Sequence, residues 1–242
     1  MAEDEIRKHA NNAIKIMKDK EIDWWYKLKD IFIEVLIIVF AVTISIWFHN
    51  WSDKVHEQKE EKIFLNGFKK DLYGDIDNIQ SSLNFYKNSV KGMRYFAKIG
   101  AGDSLSNDSL KKYASIFFSS TVLDPHTSRY EALKSSGKLG IIENPELLNN
   151  IIDLNESTLT RINTLNDFYF KFIEKTSNYI QVNAQLNPQG AMINAPAILR
   201  NSQWRFLMTF GQSSLSQNVI PAHEDGLKKC RDLIKEIDKE LK

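Results

Sequence analysis

The sequence predicts an all-α protein: a single N-terminal transmembrane helix continuing into a long amphipathic helix, followed by an extracytoplasmic helical bundle. Three observations predict it. Residues 31–48 form an apolar run with one charge, Glu34, and neither proline nor glycine. Apolar residues after that run recur at spacings of three and four, the period of a one-sided helix. Convincing strand alternation appears nowhere along the chain.

The apolar run sets the organisation. A bilayer core takes about 20 apolar residues as helix, and Trp24, Trp25, Tyr26, Trp47 and Trp51 flank this run as interface anchors. At about 1.5 Å per residue the rise from Tyr26 to Trp47 is roughly 32 Å. The competing reading is a core helix of a soluble protein, but such helices keep a polar stripe, and residues 35–48 offer only Thr43 and Ser45. A cleaved signal peptide fits badly, because the run starts late and no small-x-small site follows it. The twenty residues before the span hold Lys15, Lys18, Lys20, Lys27 and Lys29; the twenty after it hold Lys54, Lys59 and Lys62. That excess favours a cytoplasmic N-terminus. Residues 1–30 are then expected as a cytoplasmic leader, 31–48 as the span and 49–242 as an extracytoplasmic domain, periplasmic if the membrane is a bacterial inner membrane.

The leader places Ile6, Ala10, Ala13, Ile14 and Met17 on one helical face. It reads either as an amphipathic helix on the membrane surface or as a solvated, partly frayed segment. Beyond the span, Leu65, Phe68, Leu72, Ile76, Ile79, Leu83, Tyr86, Val90 and Met93 mark the seam of a long helix, expected to run from about residue 27 to about residue 98. The seam could pack within its own domain or against a second copy as a coiled coil. Gly67 and Gly74 weaken that helix only locally.

A polar turn over 100–107 precedes a short helix over 109–119, with Asn107 or Asp108 as its cap. Ser128 and Glu131 form the pattern of a capping box, opening a helix that Gly137 ends. Asn144 followed by Pro145 is a further helix start. Leu148, Ile151, Asn155, Leu159, Ile162, Asn166, Tyr169 and Ile173 then mark one face of a long helix reaching about Gln185, and Asn187, Pro188, Gln189 and Gly190 close it. One helix is expected over 196–210. A last one starts at Pro221 or Ala222, with Leu227, Cys230, Ile234, Ile237 and Leu241 as its seam.

Two blocks resemble an uncharacterised single-span membrane-protein family common in Bacteroidota, a domain of unknown function. The first, 34–72, has an early acidic residue, Glu34, the pair Asn50-Trp51 at the membrane exit, and Phe68-Lys69-Lys70-Asp71-Leu72. The second, 130–148, runs Tyr130-Glu131-Ala132-Leu133-Lys134-Ser135-Ser136-Gly137-Lys138-Leu139-Gly140-Ile141-Ile142, then Asn144 and Leu147-Leu148. Many members carry a mid-span glycine and this chain has none, which argues against tight small-residue helix packing there. The resemblance implies topology and fold and supplies no activity.

The formal net charge is +1, from 32 Lys and Arg against 31 Asp and Glu, so the global balance does not point to nucleic acid. A single cysteine, Cys230, permits no intrachain disulfide. His9, His49, His56, His126 and His223 show no metal-ligand spacing, and no cofactor motif occurs. Asp71, Asp75 and Asp77 read as a solvated helix face. Ser135-Ser136-Gly137-Lys138 has the Ser-x-x-Lys form of an acyl-enzyme, but the partner motifs of that chemistry are missing. It also lacks the first glycine and the Ser/Thr of a phosphate loop. Gly137 as a helix terminator is the simpler account. A middle reading leaves Lys134, Ser135, Ser136, Gly137 and Lys138 as a contact for an anion or an acidic partner.

Glu34 is the sharpest single residue. An ionisable group within a span is costly unless it lies near the interface or has a partner. These features predict a non-enzymatic, membrane-anchored interaction or scaffold protein. It would oligomerise or join another membrane protein through its helical domain, with membrane lipid as its other partner. The alternatives are an accessory subunit of a proton-driven membrane complex using Glu34, or a sensory, ligand-binding module.

Overall fold

A computed structural model describes the backbone of residues 2–104, 106–190 and 192–242; side chains are described for these except 2–10, 12–23, 27, 30 and 107. The amphipathic face expected for the leader lies outside the described side chains. The chain divides into two units, Met1–Lys59 and Glu60–Lys242. All regular structure among the described residues is helical, apart from a single-residue bridge between Leu186 and Met192.

Helix α1 covers Ala2–Gly100, so its end lies close to the expected one, whereas its start lies well before residue 27 because the leader is helical too. In the first unit it carries the apolar run. Its most apolar 18-residue window has mean hydropathy 2.7 and none of it is buried. The helix is long and apolar enough to cross a membrane.

The second unit is built on three helical rods: residues 60–100 of α1; α4 (Pro145–Ile152) running into α5 (Thr160–Asn183); and α7 (Ser202–Ser214) running into α8 (Ile220–Glu240). Side-chain pairs fix their directions. Lys69 meets Asp238 and Lys87 meets Glu224, so α8 is antiparallel to α1. Asn144 meets Glu240, Asn150 meets Glu236 and Lys229 meets Asp153, so the middle rod is antiparallel to α8 and parallel to α1.

Two parallel rods need a connection that travels back along their length. Residues 101–144 provide it as a strap beside α1. It contains α2 (Asn107–Tyr113), a 3-10 turn (Ala114–Phe117), α3 (Ser128–Ser135) and a second 3-10 turn (Leu139–Ile141). Phe117 packs on Phe96, Thr121 bonds Ser82, His126 bonds Asp75, Arg129 bonds Asp71 and Lys138 bonds Glu60. The close approach explains the glycines of α1. A Cβ at Gly67 would lie 2.4 Å from the Arg129 guanidinium, one at Gly74 2.7 Å from the His126 ring, and one at Gly92 2.6 Å from Ile116.

The seam of α1 is internal. Leu65, Phe68, Leu72, Ile79, Leu83, Tyr86, Val90 and Met93 are buried and Ile76 is partly buried, packed within this unit. It is therefore filled by the chain itself and is not a face open to a second copy. The core falls into two apolar clusters. One centres on Leu65–Leu83 side chains of α1 with α4 and α8; the other on Tyr86, Met93, Phe96, Trp204 and Met208.

Several boundaries differ from the sequence expectation. Ser106, not Asn107 or Asp108, caps α2 through its side chain. The capping box at Ser128 does not form: Thr127 takes the cap position one residue earlier, with no side-chain cap bond, and its carbonyl accepts from Glu131 N–H. Helix α5 ends at Asn183 rather than near Gln185. The helix expected over 196–210 breaks into α6 (Ala195–Arg200) and α7, because the Asn201 side chain caps the Gln203 N–H. Helix α8 begins at Ile220 with Pro221 in its first turn, within a residue of the expected start. A π-helical stretch, Leu215–Val219, carries α7 into α8. Its wider turn relieves the clash that a proline ring makes with the carbonyl four residues before it. A second π-helical stretch, Asp153–Leu159, joins α4 to α5.

Two expectations hold at atomic detail. Asn144 Oδ1 accepts from Glu146 N–H and Leu147 N–H, with Pro145 at the helix start. Gly137 has φ +71°, and Lys138 N–H reaches back to the Leu133 carbonyl, the closing pattern of a glycine-terminated helix.

Candidate functional site

Trp24, Trp25, Tyr26, Trp47 and Trp51 are all exposed, between 57% and 65%. Trp24 and Trp25 meet edge to face at 5.6 Å. Glu34 is exposed on the helix surface, among equally exposed apolar neighbours. Thr43 and Ser45 return their hydroxyl protons to the carbonyls of Val39 and Ala41, so neither offers the surface a free donor.

The Lys134–Lys138 turn is occupied from within. Lys134 pairs with Glu156, on the π-helical stretch of the middle rod, and Glu156 also accepts from the Tyr130 hydroxyl. Lys138 donates to both oxygens of Glu60, at 3.0 and 2.9 Å. The Ser135 and Ser136 hydroxyls donate to the carbonyls of Ala132 and Leu133. The Lys134 hydrogen bond, then that of Tyr130, lowers the Glu156 pKa. Burial, followed by the Glu156 bond, pushes Tyr130 up to about 12. The turn serves to fasten the strap to two rods, and both cations already hold carboxylates.

Two clusters were not foreseen. The first lies at the middle of the strap. Asp75 is only 3% exposed, which corrects its reading as a solvated residue. Its Oδ1 accepts from the His126 backbone N–H at 2.9 Å and pairs with His126 Nδ1 at 2.8 Å. That hydrogen bond is the main reason the His126 pKa is raised. Asp71, expected to be solvated as well, holds Arg129 at 2.8 Å. Asp77 is exposed. The one sequence signal was the pair of glycines at 67 and 74, which mark close approach in a helix that otherwise has no need of them.

The second cluster is a polar layer between the two apolar clusters. The Tyr86 hydroxyl donates to Asn166 Oδ1 at 2.6 Å, and its ring meets Tyr169 and His223, each at 5.1 Å. His223 Nδ1 lies 2.8 Å from the Val219 carbonyl, so that nitrogen carries the proton. Its Nε2 and Asn166 Nδ2 have no protein partner among the described residues. Tyr169 Oη lies beside Ser89 without forming a well-aligned bond. Burial lowers the His223 pKa and pushes Tyr169 up to about 12. Cys230 is buried, and burial pushes its thiol up to about 12, which leaves it inert as a nucleophile.

On the outer face of the second unit, Phe168, Phe206 and Phe210 are exposed at 47%, 65% and 43%. Their rings touch across α5 and α7: Phe168 to Phe210 at 6.4 Å and Phe206 to Phe210 at 6.0 Å. The stretch 202–220 carries a single charged residue, Arg205. This is an exposed aromatic patch shared by two rods. Compared with protein-family models, with curated proteins and with solved structures, the chain finds no match.

Proposed function

We propose that this chain is a single-pass, membrane-anchored interaction protein without enzymatic activity, whose helical domain joins copies of itself or another membrane protein. The exposed run 31–48 carries the reading: none of its most apolar window is buried. Burying each large apolar side chain is worth about 1.5–3 kcal/mol. The run therefore gains on the order of tens of kcal/mol in lipid. The lysine distribution favours a cytoplasmic N-terminus with the bundle on the other side of the membrane. The blocks at 34–72 and 130–148, with their resemblance to a Bacteroidota single-span family, favour the same topology.

Because the α1 seam is filled internally, the contact with a partner lies on another face. The Phe168–Phe206–Phe210 patch is the surface best suited to it. Native mass spectrometry after gentle extraction tests this reading. A defined homo-oligomer or a stoichiometric complex supports it; a monomer that copurifies with nothing across several detergents overturns it. In the alternative, an accessory subunit of a proton-driven complex, Glu34→Gln abolishes function while the complex still assembles.

A further inference from the structure

At the end of the bundle where α1 stops, Phe96, Phe117, Phe118, Ile180, Met192 and Ile198 line an open cavity of about 110 Å³ with no polar surface. Apolar cavities of about 150 Å³ take up molecules the size of benzene, so this one holds a few methylene groups. Its mouth is itself apolar: Phe118 is 59% exposed and Met192 38%.

The charge on the segments that line it is mostly positive. Residues 96–103, 108–118 and 176–205 contain Lys98, Lys111, Lys112, Arg200 and Arg205 against Asp103 and Asp108. All five cations are exposed. Among the described residues none of them is ion-paired; Lys112 instead lies over the Tyr113 ring. Arg205 packs on Gly100 at the C-terminus of α1, where a Cβ would come within 3.1 Å of it. The negative end of a helix dipole adds only about half a unit charge to the Asp103 and Asp108 carboxylates, so the five cations still outweigh them.

We infer that this cavity binds the end of an unbranched aliphatic chain whose anionic headgroup is held by these lysines and arginines: a fatty-acid-like amphiphile. The lining offers no hydrogen bond, so the inserted part carries no polar atom. The opening leaves the charged end in water beside the cations.

The test uses the full chain in phosphatidylcholine nanodiscs with an octanoate analogue bearing a terminal diazirine. After photolysis the label is mapped by peptide mass spectrometry. Labelling of the peptides containing Phe117, Met192 and Ile198, displaced by unlabelled octanoate and poorly by 1-octanol, is the expected result. Ala195→Leu, which fills the cavity, removes that label and leaves the melting temperature equal or higher. Arg200→Gln with Arg205→Gln lowers labelling roughly fivefold, the scale of two exposed charge contacts. Label confined to residues 31–48, or cavity label that survives Ala195→Leu, overturns the proposal. Equal competition by octanoate and 1-octanol overturns the anionic headgroup.

Discussion

Asp75 and His126, 51 residues apart in sequence, are joined twice, because one carboxylate oxygen takes both the backbone N–H and the ring nitrogen of the histidine. This double contact sits midway along the strap, between the Ser82–Thr121 and Asp71–Arg129 pairs. It fixes the register in which the strap returns along α1.

Asp75→Asn tests that role. The amide keeps the shape but weakens acceptance from both donors, at a cost of about 1–3 kcal/mol. Urea unfolding of the variant should show a lower midpoint with an unchanged slope. A midpoint equal to wild type would make the pair incidental.

The two structural histidines push stability in opposite directions with pH. The folded pKa of His223 lies below its ordinary value of 6.5, so its contribution is present above that value and is lost as pH falls through the folded pKa. The folded pKa of His126 lies above 6.5, so its contribution is full below 6.5 and is lost as pH rises through the folded pKa. His223 is fully buried, whereas the His126 side chain is 50% exposed and screened by solvent. His223 therefore dominates. Stability should drop between about pH 7 and 5, less steeply in His223→Gln and more steeply in His126→Gln. Denaturation midpoints across that range decide it; parallel curves for all three proteins would refute the assignment.

Gly211 marks the crossing of α7 with α5 and α1. A Cβ there would lie 2.5 Å from Phe172 Cζ and 2.8 Å from Met93 Sδ. Gly211→Ala should destabilise by about 1–3 kcal/mol through overpacking, despite a gain of about 1 kcal/mol in helix propensity. Thermal unfolding gives the sign. At Gly67 the obstructing atoms belong to the flexible Arg129 guanidinium, so Gly67→Ala should cost much less.

Phe206→Ser combined with Phe210→Ser separates fold from assembly. Both side chains are exposed, so unfolding should shift only slightly, within about 0.5 kcal/mol for each surface change. The mass of the extracted complex should fall. A complex of unchanged mass would place the partner contact elsewhere.

Much of the fold was legible because its signals are local. The seam of α1, the Asn144-Pro145 start and the Gly137 stop each depend on residues a few positions apart. Pro221 marked the start of α8, but the π-helical stretch that keeps the rod continuous with α7 carries no such local signal. Asp75 misled because its helix position suits solvent, and only the strap, whose path no period encodes, covers it. The Lys134–Lys138 turn looked open for the same reason: Glu60 lies 78 residues away from Lys138 and Glu156 lies 22 from Lys134.

The pairing of α1 with α8 also constrains how the chain is made. Lys69 and Asp238 are 169 residues apart, and the Leu65–Leu83 part of the seam shares its core with Leu227, Cys230, Leu233 and Ile237. At about 5–20 residues per second, roughly 10–30 s pass between synthesis of the seam and of the helix that covers it. During that interval a long row of leucines, isoleucines and aromatics has no partner helix to cover it, so this half of the core closes only when the end of the chain has been made.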